Sequence, residues 1–115
     1  MRESDIQKLT MVALSKDNCT VFRANAGKFR SIDGKRIIQG LPVGHFDLYG
    51  FKHVNGGKLF YIEMKTKTGK ARESQINFHK MLSRWGIIHG IARSPEDAVK
   101  IVDEELVGYG FNPDD

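Results

Sequence analysis

Apolar residues recur at helical spacing, then at every second position, then at helical spacing again along this chain. Ile6, Leu9, Thr10, Ala13 and Leu14 form a stripe that predicts a helix over 3–16. "SDIQ" has capping-box spacing from Ser4 to Gln7, which puts Glu3 at the very start of that helix. "CTVFRAN" is β-branched and aromatic and predicts a strand. A short extended segment, "KRIIQG", follows Gly34. "GHFDLYGFKH" and "GKLFYIEMKT" predict two further strands joined through "VNGG", a hairpin signal because Asn and Gly tolerate positive φ. From Arg72 the period turns helical, with Phe78, Met81, Leu82 and Trp85 as the apolar stripe and Gly86 as the stop. "IIHGIAR" predicts a short strand. "SPEDAVKIVDEEL", over 94–106, predicts a helix with Ser94 as N-cap and Pro95 at the first helical position. An acidic tail, 107–115, follows. The expected order is α-β-β-β-β-α-β-α in a single domain over 1–115. A hairpin followed by a helical crossover predicts an α/β layer with a mixed sheet and helices packed on it.

The alternation in "YIEMKTKTGK" has an unusual content. Tyr61, Glu63 and Lys65 share one face of the strand, and Phe60, Ile62 and Met64 share the other. Asp47, between Phe46 and Leu48, is another acid set in an apolar run. A hairpin pivoting near Asn55 and Gly56 sets position 47 opposite 63 to 64. Carboxylates this close repel, and a hard divalent cation between them, Mg²⁺ or Mn²⁺, removes the repulsion. A nearby lysine can orient an attacking water or stabilise charge on a phosphate. The other reading is a salt bridge from Lys65 to Asp47 or Glu63. Gln75 falls at the edge of the next helix's apolar stripe, which predicts that it faces the sheet or a cleft.

Composition narrows the classes. The 115 residues are 40% hydrophobic and 28% charged, with a formal net charge of +4 and a pI of about 9.3. The length suits one domain, and no apolar run is long enough for a membrane span. "MRESDIQKL" has no apolar h-region, so no signal peptide is expected. Cys19 is the sole cysteine. It excludes an internal disulfide and a cysteine-based zinc site, and is expected as a small core residue in a reducing compartment. His45, His53, His79 and His89 are not spaced as a zinc set, and His45 is expected on the face opposite Asp47. Tyr49, Tyr61 and Trp85 are expected in the core, with Phe29 a candidate for base stacking. The basic residues cluster at Lys28, Arg30, Lys35 and Arg36, and again at Lys65, Lys67, Lys70 and Arg72, which favours a polyanionic partner.

The early helix with Glu3, "GHFDLYG", "IEMK" and "TGKARESQINFH", in this order and spacing, resemble the VRR-NUC family of the PD-(D/E)xK nuclease superfamily. The resemblance covers about 3–93. It implies a restriction-endonuclease-like fold and a Mg²⁺- or Mn²⁺-dependent phosphodiesterase acting on DNA, with no small-molecule cofactor. By this resemblance Asp47, Glu63 and the backbone carbonyl of Met64 are metal ligands, and Lys65 is the catalytic lysine. Glu3 is the acid of the first helix, and Gln75 positions Lys65 or water. Phe46 stands where the family has a proline, so the φ before Asp47 is not fixed by a ring. Lys28, Arg30, Lys35, Arg36, Lys67, Lys70 and Arg72 are expected to contact DNA phosphates. Standalone members resemble Holliday-junction resolvases, which implies a homodimer on branched DNA. Small size and a reduced cysteine are expected of a cytoplasmic protein of a bacterium or a phage-infected host. The alternatives are a flap, end or duplex nuclease of the same fold, a non-catalytic nucleic-acid-binding module, or a metal-bound structural subunit of a larger complex.

Overall fold

A computed structural model of the chain describes residues 2–25 and 28–115, and only the backbone of Lys28, Phe29 and Gln39. The elements in chain order are α1 (Glu3–Lys16), β1 (Cys19–Arg23), β2 (Lys28–Arg30), β3 (Ile37–Gln39), β4 (Leu48–Lys52), β5 (Lys58–Met64), α2 (Glu73–Arg84), β6 (Ile88–Ala92), α3 (Pro95–Asp103) and β7 (Val107–Tyr109). Five strands form one mixed sheet in the order β1-β4-β5-β6-β7, while β2 and β3 pair only with each other. The predicted hairpin forms with Lys52 opposite Lys58, so its pivot is Asn55. Gly56 and Gly57 carry the positive φ values, 86° and 64°, that this loop needs. The predicted crossover through α2 brings β6 parallel to β5, with Met64 opposite Ala92.

Alternation along β5 divides the molecule. Phe60, Ile62 and Met64 enter a closed apolar core with Leu48, Ile88 and Ala92, covered by Leu14 of α1 and Ala98, Ile101 and Val102 of α3. Cys19 is buried in the same core, and burial pushes its thiol up to about 11, so it is held as an unreactive small hydrophobe. Tyr61 and Glu63 face the other way, toward α2. Ser94 caps α3 by accepting from Asp97 N at 3.1 Å, as its sequence predicts.

Several expectations need correction. β2 and β7 were not foreseen. The first α-helix starts one residue before Ser4, so Arg2 is its N-cap, no side chain caps it, and Ser4 lies inside it. α3 ends at Asp103, and Glu105 takes a φ of 53° that breaks the helix short of 106. On α2 the buried residues are Gln75, His79 and Leu82, whereas Met81 is exposed and Trp85 is 73% exposed rather than in the core. The sheet face beneath α2 is itself polar, so polar side chains are what the helix turns inward. No helix among the described residues is long and apolar enough to cross a membrane.

Candidate active site

β4 begins at Leu48, opposite Ile62, so Asp47 sits just beyond the ladder beside Glu63. Side chains there replace ladder bonds. The Asp47 N–H donates to Glu63 Oε1 at 3.2 Å, and the Met64 N–H donates to Asp47 Oδ2 at 3.0 Å. From the other side, the Asp47 carbonyl accepts from Ala24 N at 2.8 Å. Asp47 is therefore fixed through its amide, its carbonyl and its carboxylate. These bonds hold it where Phe46 cannot, and Phe46 is buried between the rings of Phe78 and Phe111. In an extended strand a residue's N–H and C=O point to the same side, so the Met64 carbonyl also faces Asp47.

Glu63 is the buried centre of the cluster. Its Oε2 accepts from Gln75 Nε2 at 2.7 Å and meets Lys65 Nζ at 3.3 Å. Gln75 is held at both ends of its amide, because its Oε1 accepts from Arg72 N at 3.0 Å in the capping box of α2. Burial, and then the charge of Asp47, push the Glu63 carboxyl up to about 7, with Lys65 pulling the other way. The site thus carries an excess of negative charge that the one adjacent lysine offsets only in part.

The loop before Asp47 reaches α2 because Gly44 permits it. Its φ is 95°, and a Cβ there would lie 2.4 Å from the Ser74 carbonyl oxygen. This close passage forms a pocket of about 360 Å³ lined by Val43, Gly44, His45, Asp47, Arg72 and Gln75, among others. His45 is not on the opposite face from Asp47. Positions 45 and 47 share parity, and the His45 ring packs against Tyr49, Tyr61 and Phe78 on the face that carries Glu63.

Asp47, Glu63, Met64, Lys65 and Gln75 are brought together, and Arg72 reaches the same pocket. Glu3 is not brought in: it stands exposed at the start of α1, and no bond joins it to the cluster. Lys67 and Lys70 are exposed on the loop after β5, and Arg30, Lys35 and Arg36 are exposed on the β2–β3 hairpin. The side chains of Lys28 and Phe29 lie outside the described residues. Arg93 was not anticipated. Its Nη1 donates to the carbonyls of Thr66 and Gly69 at 2.6 and 2.7 Å, and to that of Lys67 at 3.3 Å. It thereby ties down the turn that follows Lys65. Its signal in the sequence is its place at the end of a strand parallel to β5, which makes the two strand ends neighbours.

A second polar pair lies under α2. His89 Nδ1 is 2.7 Å from the Ile87 carbonyl oxygen, so that nitrogen carries the proton and donates. His89 Nε2 then accepts from His79 Nδ1, also at 2.7 Å. Phe111 stacks on His79 at 4.0 Å and 2°. Burial holds both imidazoles below the ordinary histidine value.

Among protein-family models, curated proteins and solved structures, none matches this chain.

Proposed function

We propose that the chain is a divalent-metal-dependent DNA endonuclease of the VRR-NUC type in the PD-(D/E)xK superfamily, with a restriction-endonuclease-like fold. One observation carries this reading. The Lys65 ammonium, the Gln75 amide and the Asp47 N–H converge on the Glu63 carboxylate, while the Asp47 carboxylate is held on the next residue, by Met64 N.

The donor set fits Mg²⁺ or Mn²⁺. Asp47, Glu63 and the Met64 carbonyl are hard oxygen donors, and the charge of Asp47 already disfavours ionised Glu63, a repulsion that a cation relieves. Among the described residues no group of three or more His, Cys, Asp and Glu side chains converges, so two carboxylates and a carbonyl would hold the ion. Bound there, it would supply Lewis-acid charge at the scissile phosphate. The rest falls to the chain. Gln75 holds the Glu63 carboxylate in one orientation. Lys65 orients the attacking water and stabilises charge developing on the phosphate. Arg72, Lys67 and Lys70 hold flanking phosphates, so binding weakens steeply with salt. No base-reading motif is present, so selectivity is for DNA shape, with branched DNA the first candidate. A homodimer would set two cuts across a junction.

The Lys65–Glu63 ion pair also supports a second reading, a non-catalytic nucleic-acid-binding module. One assay separates the two. Four-way-junction, flap and linear duplex substrates are incubated with Mg²⁺, Mn²⁺ or EDTA. The nuclease cuts with either metal and not with EDTA, and the junction is cut fastest. Binding without cutting under every metal favours the module. Sedimentation on and off DNA tests the dimer, and a monomer in both states removes it.

A further inference from the structure

Apart from the main sheet, the β2–β3 hairpin is built as a small ribbon with a hydrogen-bonded tip. Two-stranded hairpins are marginal on their own, yet this turn is heavily bonded. Ser31 N donates to the Arg36 carbonyl and Gly34 N to the Ser31 carbonyl, both at 2.8 Å. The Ser31 hydroxyl donates to Asp33 Oδ1 at 2.5 Å and accepts from Arg36 N at 3.1 Å. Asp33 Oδ1 also accepts from Lys35 N at 3.0 Å, and Arg30 Nη1 donates to the Gly34 carbonyl at 3.2 Å. What this turn presents is Ile32, at 109% relative exposure. A β-branched apolar residue has no intrinsic reason to occupy a turn. Ile37 and Ile38 are also exposed on the following strand.

Charge and position narrow the partner. Residues 28–39 carry four cations, Lys28, Arg30, Lys35 and Arg36, and one carboxylate, Asp33. That carboxylate is taken up by the turn. The ribbon therefore offers an exposed apolar tip on a cation-rich segment in which Arg30, Lys35 and Arg36 are exposed, which suits a polyanion with an apolar interior rather than a protein surface. It also leaves the body at the rim of the candidate site. Ala24 N bonds the Asp47 carbonyl on one side of its base, and Leu41 N bonds the Asn25 carbonyl at 2.8 Å on the other.

We propose that this hairpin enters a DNA groove at a branch point, with Ile32 wedged between bases and Arg30, Lys35 and Arg36 on the flanking phosphates. Strand ribbons read grooves in this way, and apolar side chains unstack base steps. A branch point offers bases that are already partly unstacked, so a wedge prefers it to linear duplex. This inference rests on DNA as the partner, and makes the hairpin the source of shape selectivity.

The test uses the full chain and a four-way junction carrying 2-aminopurine at its branch, in EDTA so that the proposed chemistry is off. Wild-type protein is expected to raise the fluorescence as the base unstacks. Ile32→Ser should abolish the rise and weaken junction binding at least about fivefold, with linear-duplex affinity and melting temperature unchanged. Arg36→Ala should weaken binding to both substrates and lower the salt slope by about one. Ile32→Ser that binds the junction with wild-type affinity and fluorescence overturns the wedge. So does a shift in self-association by sedimentation with no change on DNA, which would give the tip to a second copy of the chain. The nuclease reading stands or falls separately, on cutting with Mg²⁺ or Mn²⁺. An Ile32-dependent signal without cutting would keep the wedge and remove the enzyme, and cutting with no role for Ile32 would do the reverse.

Discussion

Ile62 and Glu63 are neighbours in one strand and belong to different molecules in energetic terms. Ile62 is fully buried in the apolar cluster with Phe60, Met64, Leu48, Leu14 of α1 and Ala98, Ile101 and Val102 of α3. Glu63 is almost as buried, at 2% exposure, but it meets Asp47, Lys65 and Gln75. One face of the sheet supplies stability, and the other holds an acid where burial and a second acid both oppose its charge. A strand can do both because its side chains alternate. The comparison teaches that equal burial does not mean equal contribution: the dry face stabilises, and the polar face is held in place by it.

Substitutions at these two positions should separate the faces most sharply. Glu63→Gln is expected to lower metal-dependent cleavage by at least roughly 100-fold. Thermal melting should show stability close to wild type, because loss of a disfavoured charge offsets the donor–donor contact that the new amide makes with Asp47 N or Gln75 Nε2. A large fall in melting temperature would mean that the polar face carries stability after all. Ile62→Ala should do the opposite. Urea denaturation should show a loss of about 2–5 kcal/mol, the range for buried large-to-small changes. The cleavage rate per folded molecule should stay within about threefold of wild type.

Acid should act on the polar face through the His79–His89 pair. Both folded-state values lie below histidine's ordinary 6.5 because of burial. The unfolded chain therefore binds protons that the folded pair resists. The pair's contribution to stability is intact above about pH 6.5 and falls as pH drops toward the folded values, while Glu63, whose carboxyl is pushed up to about 7, acts in the opposite sense as pH falls below that value. For His79, the neighbouring Asp115 works against this shift and Lys80 works with it. Denaturation of Glu63→Gln at pH 7.5 and 5.5 checks the direction without the opposing carboxyl, and adding His79→Phe should flatten the dependence. The smallest effect is expected at Trp85, where Trp85→Ala should change stability by within about 0.5 kcal/mol, since the ring faces water. A larger loss would mean that this indole is covered in solution.

The dry face was the more legible of the two. Period-two alternation and the "VNGG" turn set the β4–β5 hairpin and its pivot, so the approach of Asp47 to Glu63 follows from counting alone. The Ser94 cap and the α2 crossover were equally readable, because each depends on local residue chemistry. β2 and β7 were not, being three-residue strands that pair through the backbone with little side-chain signal. The α2 stripe misled for a different reason. Apolar periodicity locates a buried face only when the partner surface is apolar, and here it is Tyr61, Glu63 and His89. Arg93 was missed for want of tertiary context, since it joins the site through a parallel neighbour strand. His45 was set on the wrong face although positions 45 and 47 share parity, and the Gly44 passage against Ser74 then brings it under α2.

The central claim is that Lys65 is there for chemistry and not only to neutralise Glu63. Single-turnover cleavage of a four-way junction in Mg²⁺ by wild-type protein and Lys65→Ala, at matched binding, tests it most directly. The account predicts cutting by the wild type and a rate at least roughly 100-fold lower for Lys65→Ala with the junction still bound. Cutting by Lys65→Ala at the wild-type rate would contradict it.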